Sequence, residues 1–202
     1  MINLIKDIDI YEHLNEYDVI LVGTNVYCTM SQGLQLQLML NYPYVYDKNL
    51  GTKYGDIEKM GTLLECKEDN KPTICLCFIT KGYNFRPDLE NDYLSYESLA
   101  QCLYKINIIY KNKNIACPLL GSSRFDGNGN KDKIYKMFND ILTDVNVTIY
   151  DYEQKSRSEM MKEIREKELE IKKQDRKKYY ETVAKRKKEA EERYLKNGHR
   201  RY

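Results

Sequence analysis

Two glycine-punctuated turns sit nearly a hundred residues apart in this sequence: V-G-T-N-V-Y-C-T-M-S-Q-G-L-Q from Val22, and P-L-L-G-S-S-R-F-D-G-N-G-N from Pro118 to Asn130. Each follows a short apolar run that reads as a strand and precedes a segment that reads as a helix. Small residues at a strand-to-helix turn leave backbone N–H groups facing outward, so two such turns brought face to face make a phosphate cradle. A single Gly-rich turn is more often only a turn. The pair is what constrains the fold.

The chain between and around them alternates between the two secondary-structure periods. Residues 18–22, D-V-I-L-V, predict a buried strand ending at Gly23. Residues 33–42 are ambiguous, because Leu34, Leu36, Leu38 and Leu40 alternate as in a strand; Leu, Gln and Met are helix formers and no β-branched residue intervenes, so a helix is expected. Residues 61–66 and 73–80 read as strands joined by the polar turn E-D-N-K-P and fit to pair as a hairpin. Behind Ser95 as N-cap, Leu99, Cys102, Leu103, Ile106 and Tyr110 recur at helical spacing. A strand is expected at 115–118. Ile134, Met137, Phe138, Ile141 and Leu142 then mark an amphipathic helix and 145–150 a further strand. Strands alternating with helices predict an α/β layered fold, with ligands bound beyond the carboxyl ends of the strands.

Length and charge divide the chain in two. Its 202 residues suit one domain with an appendage, expected as a globular part at 1–152 and a charged helical tail at 153–202. The tail holds 18 basic and 11 acidic residues, whereas the globular part is net negative and no obvious nucleic-acid binder. As one helix, residues 153–196 would extend about 65 Å. Opposite charges recur near Lys162, Arg165, Glu166 and Glu170, but Met161, Ile164, Ile171 and Val183 make too thin a stripe for a coiled coil. A solvated helix, a helix for self-association or a protein partner, and a basic tail touching RNA or DNA all stay open.

Composition also excludes chemistries. No apolar run approaches 18 residues, no signal peptide is visible, and most of the six cysteines lie in apolar runs, so a soluble protein of a reducing, cytoplasmic compartment with packed thiols is expected and no membrane partner. With His13 and His199 the only histidines, a zinc site or a Ser-His-Asp triad is improbable. No metal or cofactor is expected. In the first turn, Gly23 and Gly33 permit close backbone approach, Ser31 and Gln32 add polar groups, and Asn25 at a strand end can hydrogen-bond a sugar hydroxyl. The second adds Ser122, Ser123 and the carboxylate of Asp126 to Gly121, Gly127 and Gly129.

In order, these residues resemble a family. Asn25 followed by C-T-M-S-Q-G-L, then Tyr42-Pro43, T-K-Y-G-D at 52–56 and M-G-T at 60–62, is similar to the macro domains of many bacteriophages. I-T-K at 79–81, S-Y-E-S-L at 95–99 and the P-x-x-G after the strand at 115 resemble the terminal ADP-ribose protein glycohydrolase branch. The resemblance spans roughly residues 2–151 and lies in the combination of motifs.

It implies a three-layer α/β/α fold with a mixed sheet that binds ADP-ribose or a related nucleotide and in some members hydrolyses it, as an ADP-ribosyl hydrolase or an ADP-ribose 1″-phosphate phosphatase. By position it implies Asp7 on the adenine side, with Asp9 as the rival register, and Asn25 at the distal ribose. Met30, Ser31, Gln32 and Gly33 would form the first phosphate loop. Gly121, Ser122, Ser123, Arg124, Phe125, Gly127 and Asn128 would belong to the second, and Tyr150 or Tyr152 would stack on adenine. Lys81 matches the lysine that attacks the sugar carbon in the glycohydrolase branch, with Asp126 near its acidic residue. The first loop carries Ser31-Gln32-Gly33 where the family has G-A-G. The second is lengthened and lacks the usual Asp-Trp. Both departures point to a retuned ligand, or to a binding module that sequesters an NAD- or ADP-ribose-derived signal without turnover.

Overall fold

The computed structural model describes residues 1–81, 94–123 and 127–152, and beyond them Ser158, Lys162, 165–166, 169–178 and 180–181. Contacts divide the chain into two units, Met1–Arg157 and Ser158–Tyr202. In the first, six strands form one sheet in the order β1-β6-β5-β2-β4-β3. The strands are β1 (Ile2–Lys6), β2 (Val19–Asn25), β3 (Leu63–Cys66), β4 (Thr73–Thr80), β5 (Asn114–Pro118) and β6 (Asn146–Asp151). All pairs are parallel except β3 with β4, so the sheet is mixed.

The sheet is mixed because of the connections the sequence permits. The turn 67–72 is short enough for the expected hairpin, and Leu63–Cys66 pairs antiparallel with Ile74–Cys77. β2 and β4 lie side by side and parallel, which requires a crossover between them. That crossover contains α1 (Gly33–Asn41) and α2 (Pro43–Leu50). The alternating leucines therefore lie on a helix, with Leu34 and Leu38 buried one turn apart and Leu40 53% exposed. On the other side, α3 (Tyr96–Ile109) precedes β5 and α4 (Lys131–Ile141) joins β5 to β6.

Alternation along the central strands sorts the core into two faces. Val19 and Leu21 of β2, with Cys75, Cys77 and Ile79 of β4, pack with Leu99, Leu103 and Ile106 of α3 and Ile134 and Phe138 of α4. Ile20, Val22, Ile74 and Leu76 face the other way, toward Ile10 and Leu14 of a 3-10 segment at Ile10–Glu16, Leu34 and Leu38 of α1, and Val45 of α2. Helices thus cover both faces and the architecture is three-layer α/β/α. Ser95 caps α3 as expected, its side chain accepting from Ser98 N. Asn130 does the same for α4.

Two elements lie outside the expectations. β1 is an edge strand with exposed residues on both faces, defined by its register against β6 from Ile2↔Val147 to Lys6↔Asp151. α2 begins on Pro43, pre-set for a first helical position, but buries only Val45 and Asn49 and so has almost no periodic signal. In the second unit, 169–178 are helical and exposed, with Lys162–Glu166 and Lys173–Glu170 pairs at 3.9 Å. The remaining tail positions, including Met161, Ile164 and Val183, lie outside the described residues. All six cysteines are free and buried. No helix among the described residues is long and apolar enough to cross a membrane.

Glu65 on β3 offers a test of this packing. Its carboxylate accepts hydrogen bonds from Lys67 Nζ at 2.8 Å and from Tyr110 Oη at 2.5 Å, and these, with Lys67 first, hold its pKa below the usual value. A depressed carboxyl contributes stability above its unfolded pKa, about 4.3, and loses it as pH falls through the folded value. The stability of the wild type is therefore expected to fall faster than that of Glu65→Gln between about pH 5 and pH 3, measured as urea midpoints.

Candidate functional site

The sheet opens at one place. β2 pairs with β5 only at Val19↔Ile115 and Ile20↔Ala116. Beyond that level β2 continues beside β4 to Asn25↔Thr80, while β5 stays on β6 to Pro118↔Tyr150. The chain leaves β2 toward α1 on one face and leaves β5 toward α4 on the other. Two neighbouring parallel strands with opposed exits form a switch point, where a crevice lies outside the carboxyl ends. Both glycine-punctuated turns border it.

On the β2 side, a register shift between Thr24 and Asn25 sets Asn25 opposite Thr80, and Lys81 follows at once, exposed, at the end of β4. Asn25 is 6% exposed and organises its own loop. Its Oδ1 accepts from the backbone N–H groups of Tyr27 (3.0 Å) and Thr29 (3.4 Å), and its Nδ2 donates to Thr29 Oγ1 (2.6 Å) and Thr29 O (3.2 Å). This bracket holds Cys28 at a φ of 56°, a left-handed conformation uncommon outside glycine. Gly23 O, at the level where β5 has departed, accepts from Gln35 Nε2 of α1 at 2.6 Å.

The residues expected to form a first phosphate loop follow: Met30 is buried, Ser31 and Gln32 are half-buried, and Gly33 opens α1 at a φ of 49°. Gln32, the N-cap, makes no side-chain cap bond to the first turn of α1. Ser31 Oγ is buried without a hydrogen-bond partner.

The second loop is closed at its neck, where Gly129 N donates to Gly121 O at 2.8 Å and Asn128 N to Ser123 O at 2.9 Å. Ser122 and Ser123 are half-buried and Asn128 is exposed. Arg124, Phe125 and the expected acid Asp126 lie outside the described residues. The glycines here have a packing reason that sequence alone does not reveal. A Cβ on Gly121 would meet Leu94 Cδ1 at 2.5 Å and one on Gly129 would meet Leu94 Cδ2 at 2.6 Å, while one on Gly127 would meet Gly121 O at 2.8 Å. Leu94 itself donates its N–H to Gly127 O at 3.1 Å. It is a wedge between Gly121, Gly127 and Gly129.

The two rival carboxylates expected on an adenine side differ. Asp9 is spent on structure, capping the 3-10 segment at Tyr11 N (3.0 Å) and accepting from Gln37 Nε2 (3.3 Å). Asp7 is exposed at a φ of 60°, with its backbone N–H on Asp151 O. Tyr150 is 3% exposed; His13 stacks on its ring at 5.9 Å and its hydroxyl meets that of Tyr17 at 2.9 Å. Burial and the Tyr17 contact push its phenol up. Its ring is thus already covered, and Tyr152, half-buried, is the aromatic with more open surface.

The motif residues 52–62 buttress the first loop. Lys59 Nζ lies 3.0 Å from Thr52 Oγ1 and 3.3 Å from Cys28 Sγ, and Gly55 N donates to Val26 O at 2.9 Å. Gly61 N donates to Phe78 O and Thr62 Oγ1 to Lys59 O. The T-K-Y-G-D and M-G-T runs held this signal, but spacing alone does not say which loop they support. Among the described residues no group of three or more His, Cys, Asp or Glu is placed to hold a metal ion.

No protein-family model matches the sequence, and no curated protein is significantly similar to it. Solved structures are. The macrodomain of Mycobacterium tuberculosis DarG superposes with a TM-score of 0.56 at 16% identity, covering 74% of this chain and 97% of that one. This is a macro-domain fold. A protein from Bacteroides thetaiotaomicron shares it with a TM-score of 0.60 at 17% identity over 75% of this chain and 99% of that one. So does Thermosipho africanus DarTG, solved in complex with ADP-ribose, with a TM-score of 0.53 at 17% identity over 73% of this chain and 41% of that one. In this macro fold, the expected three layers and mixed sheet are as the sequence led one to expect.

Two substitutions test the loops. Gly121→Ala is expected to cost at least about 2 kcal/mol, because it combines a left-handed backbone with an overlap on Leu94. Asn25→Ala is expected to cost about 1–3 kcal/mol by leaving the Tyr27 and Thr29 groups unpaired. Chemical denaturation measures both.

Proposed function

We propose that the crevice between β2 and β5 binds ADP-ribose or an ADP-ribose-derived nucleotide and releases it from the group it modifies. The observation that carries this reading is the early parting of the two strands, with a Gly-rich turn on each side and Lys81 one residue beyond the partner of Asn25. The uncapped first turn of α1 supports a diphosphate lying across it. The ADP-ribose complex of Thermosipho africanus DarTG, which shares the fold, supports the same ligand.

In this reading Asn25 meets the distal ribose and Asp7 the adenine, with Tyr152 rather than the covered Tyr150 as the stacking ring. The loops at 30–33 and 121–128 hold the phosphates, and Arg124 pairs with one of them. Lys81 attacks the anomeric carbon of the distal ribose as a nucleophile, or clamps the developing charge. The bond from that carbon to the carried group breaks, Asp126 supplies its proton, and water then frees the sugar from Lys81. Cleavage of ADP-ribose 1″-phosphate is the related phosphatase reaction. The charged tail serves assembly or docking.

A second reading, binding without turnover, is favoured by Asn25, whose amide is engaged within its own loop. It fits a phage protein that sequesters a host signal derived from NAD or ADP-ribose.

Lys81→Ala separates the two. If the chain is a hydrolase, this variant loses about 100-fold or more in release of ADP-ribose from modified protein or nucleic acid, while its ADP-ribose affinity by calorimetry changes by less than about tenfold. Wild-type protein that binds but releases nothing, where a positive-control macro domain does, establishes the second reading. ADP-ribose binding weaker than about millimolar overturns both.

A further inference from the structure

The second unit carries charge that the crevice does not use. Residues 169–178 are helical and every one is exposed, and Tyr180 and Glu181 are helical and exposed beyond them. At about 100° per residue, Lys172, Lys173, Arg176 and Lys177 fall on one side of this helix, within an arc of about 140°. Leu169 and Tyr180 lie within the same arc, 55% and 63% exposed. The acidic residues fall outside it, Glu170 and Glu181 beyond its Lys177 edge and Asp175 beyond Lys172. Glu170 meets Lys173 at 3.9 Å, and an exposed pair of that length contributes little. The helix is therefore divided lengthwise by charge, with a cationic face open to solvent.

The pattern selects among the partners that suit such a face. An anionic membrane needs an apolar face beside the basic one. Leu169 and Ile171, the two aliphatic residues between 169 and 181, project about 200° apart and make none. A coiled-coil seam with a second copy fails for the same reason. A nucleic-acid backbone asks only for closely spaced cations on an extended element. Lys172 to Lys177 rise about 7.5 Å along the axis, which sets the four cations within reach of successive phosphates. An α-helix fits the B-form major groove, about 12 Å wide, whereas the major groove of an RNA duplex is deep and narrow. Residues 1–152 are net negative, so the attraction is confined to the tail.

We propose that the face formed by Lys172, Lys173, Arg176 and Lys177 is a docking surface for duplex DNA, held through its phosphates. Each cation that meets a phosphate releases a condensed counterion, so binding is driven by that release and weakens steeply as salt rises. Contacts made mostly by lysine to phosphate position the helix without a strong preference for sequence. Docking of this kind does not depend on what the crevice binds.

The test uses the full chain and a fluorescein-labelled DNA duplex of about 20 base pairs, followed by anisotropy from about 50 to 200 mM sodium chloride. Four phosphate contacts predict an affinity that falls about 100-fold across that range. The combined variant Lys172→Gln, Lys173→Gln, Arg176→Gln and Lys177→Gln keeps helix-forming residues throughout. It is expected to lower the slope of log affinity against log salt by about 3 to 4, and to weaken binding at the lower salt by about 30-fold or more. A control removes four charges from exposed lysines of the first unit, as Lys48→Gln, Lys111→Gln, Lys113→Gln and Lys136→Gln, and is expected to change affinity by less than about threefold. Equal loss in both variants, or wild-type affinity that ignores salt, overturns the proposal. So does tighter binding to single-stranded DNA, to an RNA duplex of the same length, or to vesicles containing phosphatidylserine. If the combined variant loses helicity by circular dichroism, Arg176→Gln and Lys177→Gln decide singly, each expected to lower the slope by about 0.9 and an unchanged slope overturning the proposal. Failure of the chain to bind ADP-ribose sinks the function proposed above and leaves the DNA result to stand or fall by itself.

Discussion

β5 lets go of β2 after two residue pairs, and most of what surrounds the candidate site follows from that release. A central strand buried along its whole length normally spends its backbone groups on both neighbours. At the carboxyl end of β2 one neighbour is missing, and the loop chemistry takes over: Gln35 reaches back to Gly23 O and the Asn25 amide ties down Tyr27 and Thr29. The same parting lets the exits of two adjacent strands diverge to opposite faces. A crevice flanked by a helix start and a glycine neck is the product of sheet topology before any ligand is considered.

The tight loop geometry is secured from outside the crevice. The segment 52–62 holds the first loop through Lys59, Thr52 and Gly55, and Leu94 holds the second from beneath. Neither support needs to face the crevice, yet each sets the position of backbone groups that do. Preorganisation of this kind matters wherever binding depends on main-chain donors, because a loop that must be ordered on binding weakens affinity.

Much of the frame was legible because burial leaves a periodic trace. The run V-I-L-V gave β2, and Ser95 with Leu99, Leu103 and Ile106 gave α3 and its cap. The alternating leucines of α1 would mislead a reading by period alone; the helix-forming character of Leu, Gln and Met decided correctly. β1 was not legible because its five residues are defined by hydrogen bonding to β6 rather than by a buried face, and α2 because only Val45 and Asn49 turn inward. At the site, sequence order marked both turns but not why their residues are there. Asn25 is committed within its own loop, Tyr150 is covered by His13, and Gly121 and Gly129 make way for a leucine distant in sequence. Such facts are long-range, and one chain without its fold does not contain them in readable form.

Leu94 also ties together parts of the chain that answer to different strands. Its N–H is on Gly127, its methyls fill the space beside Gly121 and Gly129, and it forms a bridge with Thr80 at the end of β4. The approach to α3 and the loop after β5 therefore share one volume. They cannot drift independently over evolutionary time: a larger residue on either side demands a smaller one on the other. Co-variation between position 94 and positions 121 and 129 is the trace such a shared volume leaves in a lineage.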